Sequence, residues 1–139
     1  MTNAGAAAVG LFDDWERRDF DAVVARFGPD AVVRDHPRDI ALSAPADIRA
    51  WFEGWAAACP DSTASAQATV STDDGAVIEG MYAGTNTGAF GTVPATGRPV
   101  SLAYAGVFRF DGGGHVVSYD AYYDLYSLFA QLGQVPALA

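Results

Sequence analysis

Lysine is absent from this chain of 139 residues, and all eight basic residues are arginines. A lysine Schiff base and a lysine general base are therefore excluded. Cysteine occurs once, as Cys59, which rules out an intrachain disulfide and a cysteine-built zinc site. Two histidines, His36 and His115, are too few for a histidine-rich metal centre. Positive charge is scarce: 17 acidic residues leave a net charge of −9. No basic patch large enough for a phosphate backbone can be assembled, so nucleic acid is not an expected partner. No apolar run approaches the ~20 residues of a membrane span. The glycine-rich strand–turn–helix of a nucleotide site is missing, as is a Gly-x-Ser-x-Gly elbow. Met1 to Gly10 lack a positive charge and are soon followed by Asp13 and Asp14, which is not the pattern of a signal peptide. The expectation is a cytoplasmic protein with a reduced thiol, no cofactor and no metal.

What is present reads as one domain over residues 1–139, with half the residues hydrophobic and 12% aromatic. Ala8, Leu11, Phe12 and Trp15 repeat at helical spacing, and so do Phe20, Val23, Val24 and Phe27. Asp19 suits a cap between the two helices, and Gly28-Pro29 stops the second. A short strand is expected at Ala31 to Arg34, ended by His36-Pro37. A third helix starts near Pro45, carries Ile48, Trp51, Phe52 and Trp55 on one face, and ends at Pro60. Long strands follow near 63–72, 76–88, 98–110 and 115–124. Asp73-Asp74-Gly75 and Asp111-Gly112-Gly113-Gly114 mark hairpins. Leu125, Leu128, Phe129 and Leu132 indicate a short last helix closed by Gly133. The predicted fold is α+β: a curved antiparallel sheet of four long strands and one short one, packed with three N-terminal helices and a short C-terminal helix. Gly80, Gly84, Gly88 and Gly106 suggest strong bending. A bent sheet covered by helices forms a cone, whose mouth suits a small, mostly apolar ligand.

Several segments point to one family. Gly84-Thr85-Asn86-Thr87-Gly88-Ala89-Phe90-Gly91, followed by Pro94-Ala95-Thr96-Gly97-Arg98, resembles the SnoaL-like polyketide cyclases. These belong to the superfamily of nuclear transport factor two, with its cone-shaped α+β fold. Tyr122-Tyr123-Asp124, then Gln131-Leu132-Gly133 after six residues, is similar to the family's tail. Trp51 to Trp55 followed by Cys59-Pro60-Asp61 resembles its third helix and next strand. The likeness runs from about residue 8 to 136. It implies a ring closure by intramolecular aldol condensation without a cofactor. Other members of the superfamily isomerise steroids, open epoxides or have no known chemistry.

The resemblance makes Asp124 the acid/base residue. Strand alternation puts Asp120, Tyr122 and Asp124 on one face and Tyr119, Ala121 and Tyr123 on the other. If the first face lines the cavity, desolvation raises a carboxylate toward neutrality and suits it to move a proton alpha to a carbonyl. Asp124 also suits the N-cap of the helix that follows it. His36 stands where the family often carries a histidine, and its imidazole suits proton transfer. A solvated loop of Asp35, Arg38 and Asp39 is the bland alternative there. Asn86 occupies the place of a frequent family histidine; it can hold a substrate oxygen or satisfy backbone groups. Trp15, Tyr82, Tyr104 and Tyr122 are expected to line the cavity, with Trp51 and Phe108 as alternatives, or to form an aromatic core. Arg98 is expected to pin a loop through a carboxylate. The preferred function is a cyclase or isomerase for a polyketide-like carbonyl compound, working as a homodimer through the open sheet face. Epoxide opening, which requires an arginine between two carboxylates, and a non-catalytic binding or dimerisation module are the alternatives.

Overall fold

The computed structural model describes residues 3–137. Helix α1 (Ala4–Glu16) is capped by Asn3, whose side chain accepts from the Ala6 N–H. It buries Ala8, Leu11, Phe12 and Trp15, the face foreseen from their spacing. Asp19 caps α2 (Phe20–Ala25) in the same way. Phe27 does not extend α2; it begins strand β1 (Phe27–Asp35). Pro45 opens α3 (Pro45–Ala58), where its missing N–H costs nothing. Among the described residues, no helix is long and apolar enough to cross a membrane.

The remaining strands are β2 (Ile40–Leu42), β3 (Thr63–Ser71), β4 (Gly75–Thr85), β5 (Pro99–Phe110) and β6 (Val116–Tyr123), and α4 (Leu125–Gln131) closes the order. They form one curved, unclosed sheet in the order β2-β1-β6-β5-β4-β3. The sheet has six strands, one more than expected, because β2 pairs with β1 through only three residues. It is mixed and not wholly antiparallel, because β1 lies parallel to β6. Gly28-Pro29-Asp30 falls in a register shift between Phe27 and Val32, where a proline without an N–H is tolerated. The strand therefore runs through the segment that reads as a helix stop.

Two strand glycines place aromatic rings on the inner sheet face. A Cβ at Gly80 would lie 2.4 Å from the Tyr104 hydroxyl, and one at Gly106 would lie 2.7 Å from Tyr119 Cε1. These glycines provide space for rings from neighbouring strands, a role beyond bending. Phe12 of α1 meets Tyr104, Phe108 and Tyr119 at ring separations of 5.4, 5.9 and 6.3 Å. The core thus lies between the helices and the inner face.

Candidate active site

Between α1, α3 and the inner sheet face lies a cavity of about 60 Å³ with almost wholly apolar walls. The helices contribute Trp15, Trp51 and Trp55. The sheet contributes Tyr82, Tyr104, Tyr119 and Tyr123. Most of these polar tips are tied to the frame. Tyr82 donates to the Trp55 carbonyl at 2.6 Å, Tyr104 to the Ala64 carbonyl at 2.9 Å, and Trp15 Nε1 to the Phe52 carbonyl at 2.9 Å. Burial pushes the phenols of Tyr82, Tyr104, Tyr119 and Tyr123 above their ordinary range. At Tyr123 the Arg38 charge opposes that rise and Asp35 adds to it.

One carboxylate is anchored behind this aromatic wall. Asp35, at the end of β1, is fully buried. It accepts from the Tyr123 hydroxyl at 2.8 Å, from Trp51 Nε1 at 3.0 Å and from Arg38 Nε at 2.7 Å. A buried carboxylate requires such partners, because desolvation of an unpaired charge is prohibitive. Arg38 also stacks over Trp55 at 5.4 Å and Phe90 at 5.1 Å. On its side of the cluster opens a second recess of about 350 Å³, lined in part by Ile40, Leu42, Asp47, Gly54 and Phe90. Trp51 and Trp55 line both recesses and so form the wall between them.

The sequence-derived candidates divide sharply. Trp15, Trp51, Tyr82 and Tyr104 line the inner cavity as expected. Phe108 is buried beneath it, stacked on Tyr119 at 4.5 Å. Tyr122 is exposed on the opposite sheet face and stacks on His36 at 4.5 Å. His36 Nε2 lies 2.7 Å from Asp120 Oδ1 on that same outer face, away from the cavity. The alternation along β6 is as read, but Tyr119, Ala121 and Tyr123 are the residues that face inward. Asp124 is exposed and caps α4, accepting from the Ser127 N–H at 3.1 Å. It does not line either recess.

Asn86 is buried with its amide fully engaged. Its Nδ2 donates to the Ala58 and Gly88 carbonyls, and its Oδ1 accepts from Thr96 N and Oγ1. It secures the segment between β4 and β5 and offers no free group to a ligand. Arg98 lies against Gly133 at the end of α4, and among the described residues it pairs with no carboxylate. Cys59 is buried, and desolvation pushes its thiol up, away from nucleophile behaviour. Sequence reasoning missed Tyr119, Tyr123 and Trp55 as lining residues, and gave Asp35 no role of its own beside His36, with a solvated loop of Asp35, Arg38 and Asp39 as the alternative. The available signals were the alternation along β6, which groups Tyr119 with Tyr123 without saying which face turns inward, and the helical spacing of Trp51 and Trp55.

At the cavity, among the described residues, one carboxylate meets one arginine, Asp35 with Arg38. The arginine beside two carboxylates is Arg49, near Asp21 and Glu53 on an exposed helix surface. Among the described residues, no group of three or more His, Cys, Asp or Glu side chains is placed to hold a metal ion. A small apolar cavity with one anchored carboxyl–phenol pair at its edge has the makings of a proton-transfer site for a carbonyl compound.

The model of the SnoaL-like domain matches residues 8–119, and the chain belongs to that family. Its architecture is that of the cone-shaped folds related to nuclear transport factor two. AclR from Streptomyces galilaeus, provisionally a hydroxylase, is similar at 25% identity over 96% of this chain and 83% of its own, with a TM-score of 0.83. IdmH from Streptomyces antibioticus, provisionally a polyketide cyclase, is similar at 24% identity over 92% and 96%, with a TM-score of 0.78. A provisional SnoaL-like polyketide cyclase from Jannaschia sp. CCS1 shares 19% identity over 94% and 92%, with a TM-score of 0.85. The last two likenesses concern the fold alone. No curated protein matches the sequence.

Proposed function

We propose that this protein is a cyclase or isomerase that moves a proton alpha to a carbonyl in a polyketide-like compound. The observation that carries this reading is the Asp35–Tyr123 pair: a buried carboxylate accepting a hydrogen bond from a phenol that lines the cavity. Tyr123 is the group that touches substrate, and Asp35 acts through it. As the substrate C–H bond breaks, its proton passes to the Tyr123 oxygen and the Tyr123 proton passes to Asp35. The electron pair left on carbon forms an enolate, which attacks a second carbonyl of the same molecule. The alkoxide formed takes the proton back along the same path, so protons and charge balance without a further reactant. Because the two transfers are concerted, the raised phenol never stands as a free phenolate. Proton transfer by positioned groups contributes about 10²–10⁴-fold in rate, and holding a flexible chain in attack geometry adds to it.

This reading transfers the acid/base role from Asp124 to Asp35, because Asp124 is solvated and already occupied as a cap. His36 and Asn86 take no part in the step. A second copy of the chain is the partner we assign to the outer sheet face, where Val77, Ala103, Ala105 and Val107 alternate with the inward residues of β4 and β5. The test of the reaction is hydrogen–deuterium exchange at the methyl group of 2-acetylnaphthalene, followed by NMR. Wild-type protein accelerates the exchange, and Asp35→Asn loses about 100-fold or more of that acceleration. Acceleration retained in folded Asp35→Asn refutes the relay.

A further inference from the structure

We infer that the outer recess is a binding site of its own, for a monocarboxylate with an apolar body that Arg38 grips by the free edge of its guanidinium. The inference goes beyond the proton relay and does not rest on it. Trp51 and Trp55 meet edge-on, with ring centroids 6.1 Å apart, and close the wall between the recesses. An occupant of the outer recess is therefore a different ligand from the substrate of the inner cavity. Arg38 is the one basic side chain lining the outer recess, and it does not line the inner cavity.

The chain holds Arg38 in place before any ligand arrives. Its backbone N–H donates to Asp35 Oδ1 at 3.3 Å, and its Nε and Nη2 lie 2.7 and 2.6 Å from Asp35 Oδ2. The rings of Trp55 and Phe90 lie 5.4 and 5.1 Å from the guanidinium carbon. A guanidinium presents its N–H donors as a rigid planar fork. The contacts with Asp35 occupy the edge formed by Nε and Nη2 and leave the edge formed by Nη1 and Nη2. Nη1 has no protein partner among the described residues and is not buried. That edge matches the two oxygens of a carboxylate in a bidentate bond. Because the ion pair and the rings already fix the side chain, binding sacrifices little rotamer freedom.

Charge and shape select the anion. Ile40, Leu42 and Phe90 give the recess apolar walls, which a bare hydrated ion does not use. Its volume of about 350 Å³ exceeds the ~150 Å³ that admits benzene. Asp47 lines it as well, on a chain of net charge −9. A second negative charge on the ligand meets repulsion there, which favours one carboxylate over a phosphate dianion.

Calorimetric binding of 4-phenylbutanoate, 4-phenylbutanamide and acetate tests the site. Hydrogen bonds between charged groups are about twice as strong as neutral ones, so wild-type protein is expected to bind the acid at least about tenfold more tightly than its amide. Acetate, which lacks the apolar body, should bind at least about tenfold more weakly than the acid. Arg38→Lys keeps a cation beside Asp35 but cannot present two edges. Gly54→Leu obstructs the recess without crowding the fold, because an added Cβ there meets nothing within 4 Å. Each should weaken the acid by about tenfold or more. Ala64→Val, in the inner cavity, should leave its binding unchanged. Asp47→Asn should bind the acid at least as tightly as wild type. Equal binding of the acid and its amide, or of the acid and acetate, overturns the inference. So does undiminished binding in folded Arg38→Lys or Gly54→Leu, weakened binding in folded Ala64→Val or Asp47→Asn, or no binding of the acid to wild type. Should Arg38→Lys fail to fold, Gly54→Leu carries the test, because it leaves the ion pair of Asp35 and Arg38 intact.

Discussion

Asp35 and Asp124 are both aspartates at the end of a strand, and their surroundings give them opposite roles. Asp35 has no exposed surface and three side chains donating to it; Asp124 faces solvent and holds one backbone N–H. Removing one partner of a buried ion pair costs about 3–5 kcal/mol, so Asp35→Ala should lower urea stability by that order. Asn and Asp cap helices equally well, whereas Ala costs about 1 kcal/mol. Urea denaturation of Asp124→Asn should match wild type, and Asp124→Ala should lose about that amount; a loss as large as at Asp35 contradicts the cap assignment. The sequence revealed the alternation of β6 but not which face turns inward. Asp120 and Tyr122 on one side look as functional as Tyr119 and Tyr123 on the other. Long-range packing of α1 and α3 decides it, and no local pattern encodes that packing. Asp35 was hidden for a similar reason: its partners Trp51 and Tyr123 are 16 and 88 residues away.

At the level of elements, the helices were legible because a repeat of 3.6 residues is a local signal, and the two hairpins because glycine and aspartate mark tight turns. Strand β2 was not, since three residues carry no period. Neither was the parallel pairing of β1 with β6, which joins distant segments. The strand glycines were visible, but their function as seats for Tyr104 and Tyr119 depends on cross-strand register. This gives a sharp expectation. Gly106→Ala sets a methyl group against the Tyr119 ring, and Gly80→Ala sets one against Tyr104 and the Ser65 carbonyl. Overpacking costs about 1–3 kcal/mol, and thermal melts should show it in both variants. In Gly54→Ala, where the space is open, the melt should be unchanged or slightly raised.

For the molecule as a whole, the phenols of buried Tyr82 and Tyr119 and of half-buried Tyr104 and Tyr123 couple stability to alkaline pH. Their folded values lie above the ordinary 10.0, so between these limits the folded chain holds protons that the unfolded chain has released. Their contribution is complete below pH 10 and is lost as pH rises beyond it. Phenolate absorbance of these residues should therefore appear together with loss of the circular dichroism signal, as one cooperative step; early, independent ionisation contradicts their burial. Assembly makes a separate prediction: a wild-type dimer in light scattering, converted to monomer by Val107→Glu on the outer face. A wild-type monomer removes the proposed partner and leaves the cavity intact. The central claim is that proton transfer runs through the carboxylate behind Tyr123. Deuterium exchange of 2-acetylnaphthalene, compared between Asp35→Asn and Asp124→Asn under identical conditions, tests it most directly. The account predicts a rate near wild type for Asp124→Asn and a loss of about 100-fold or more for Asp35→Asn; the reverse order contradicts it.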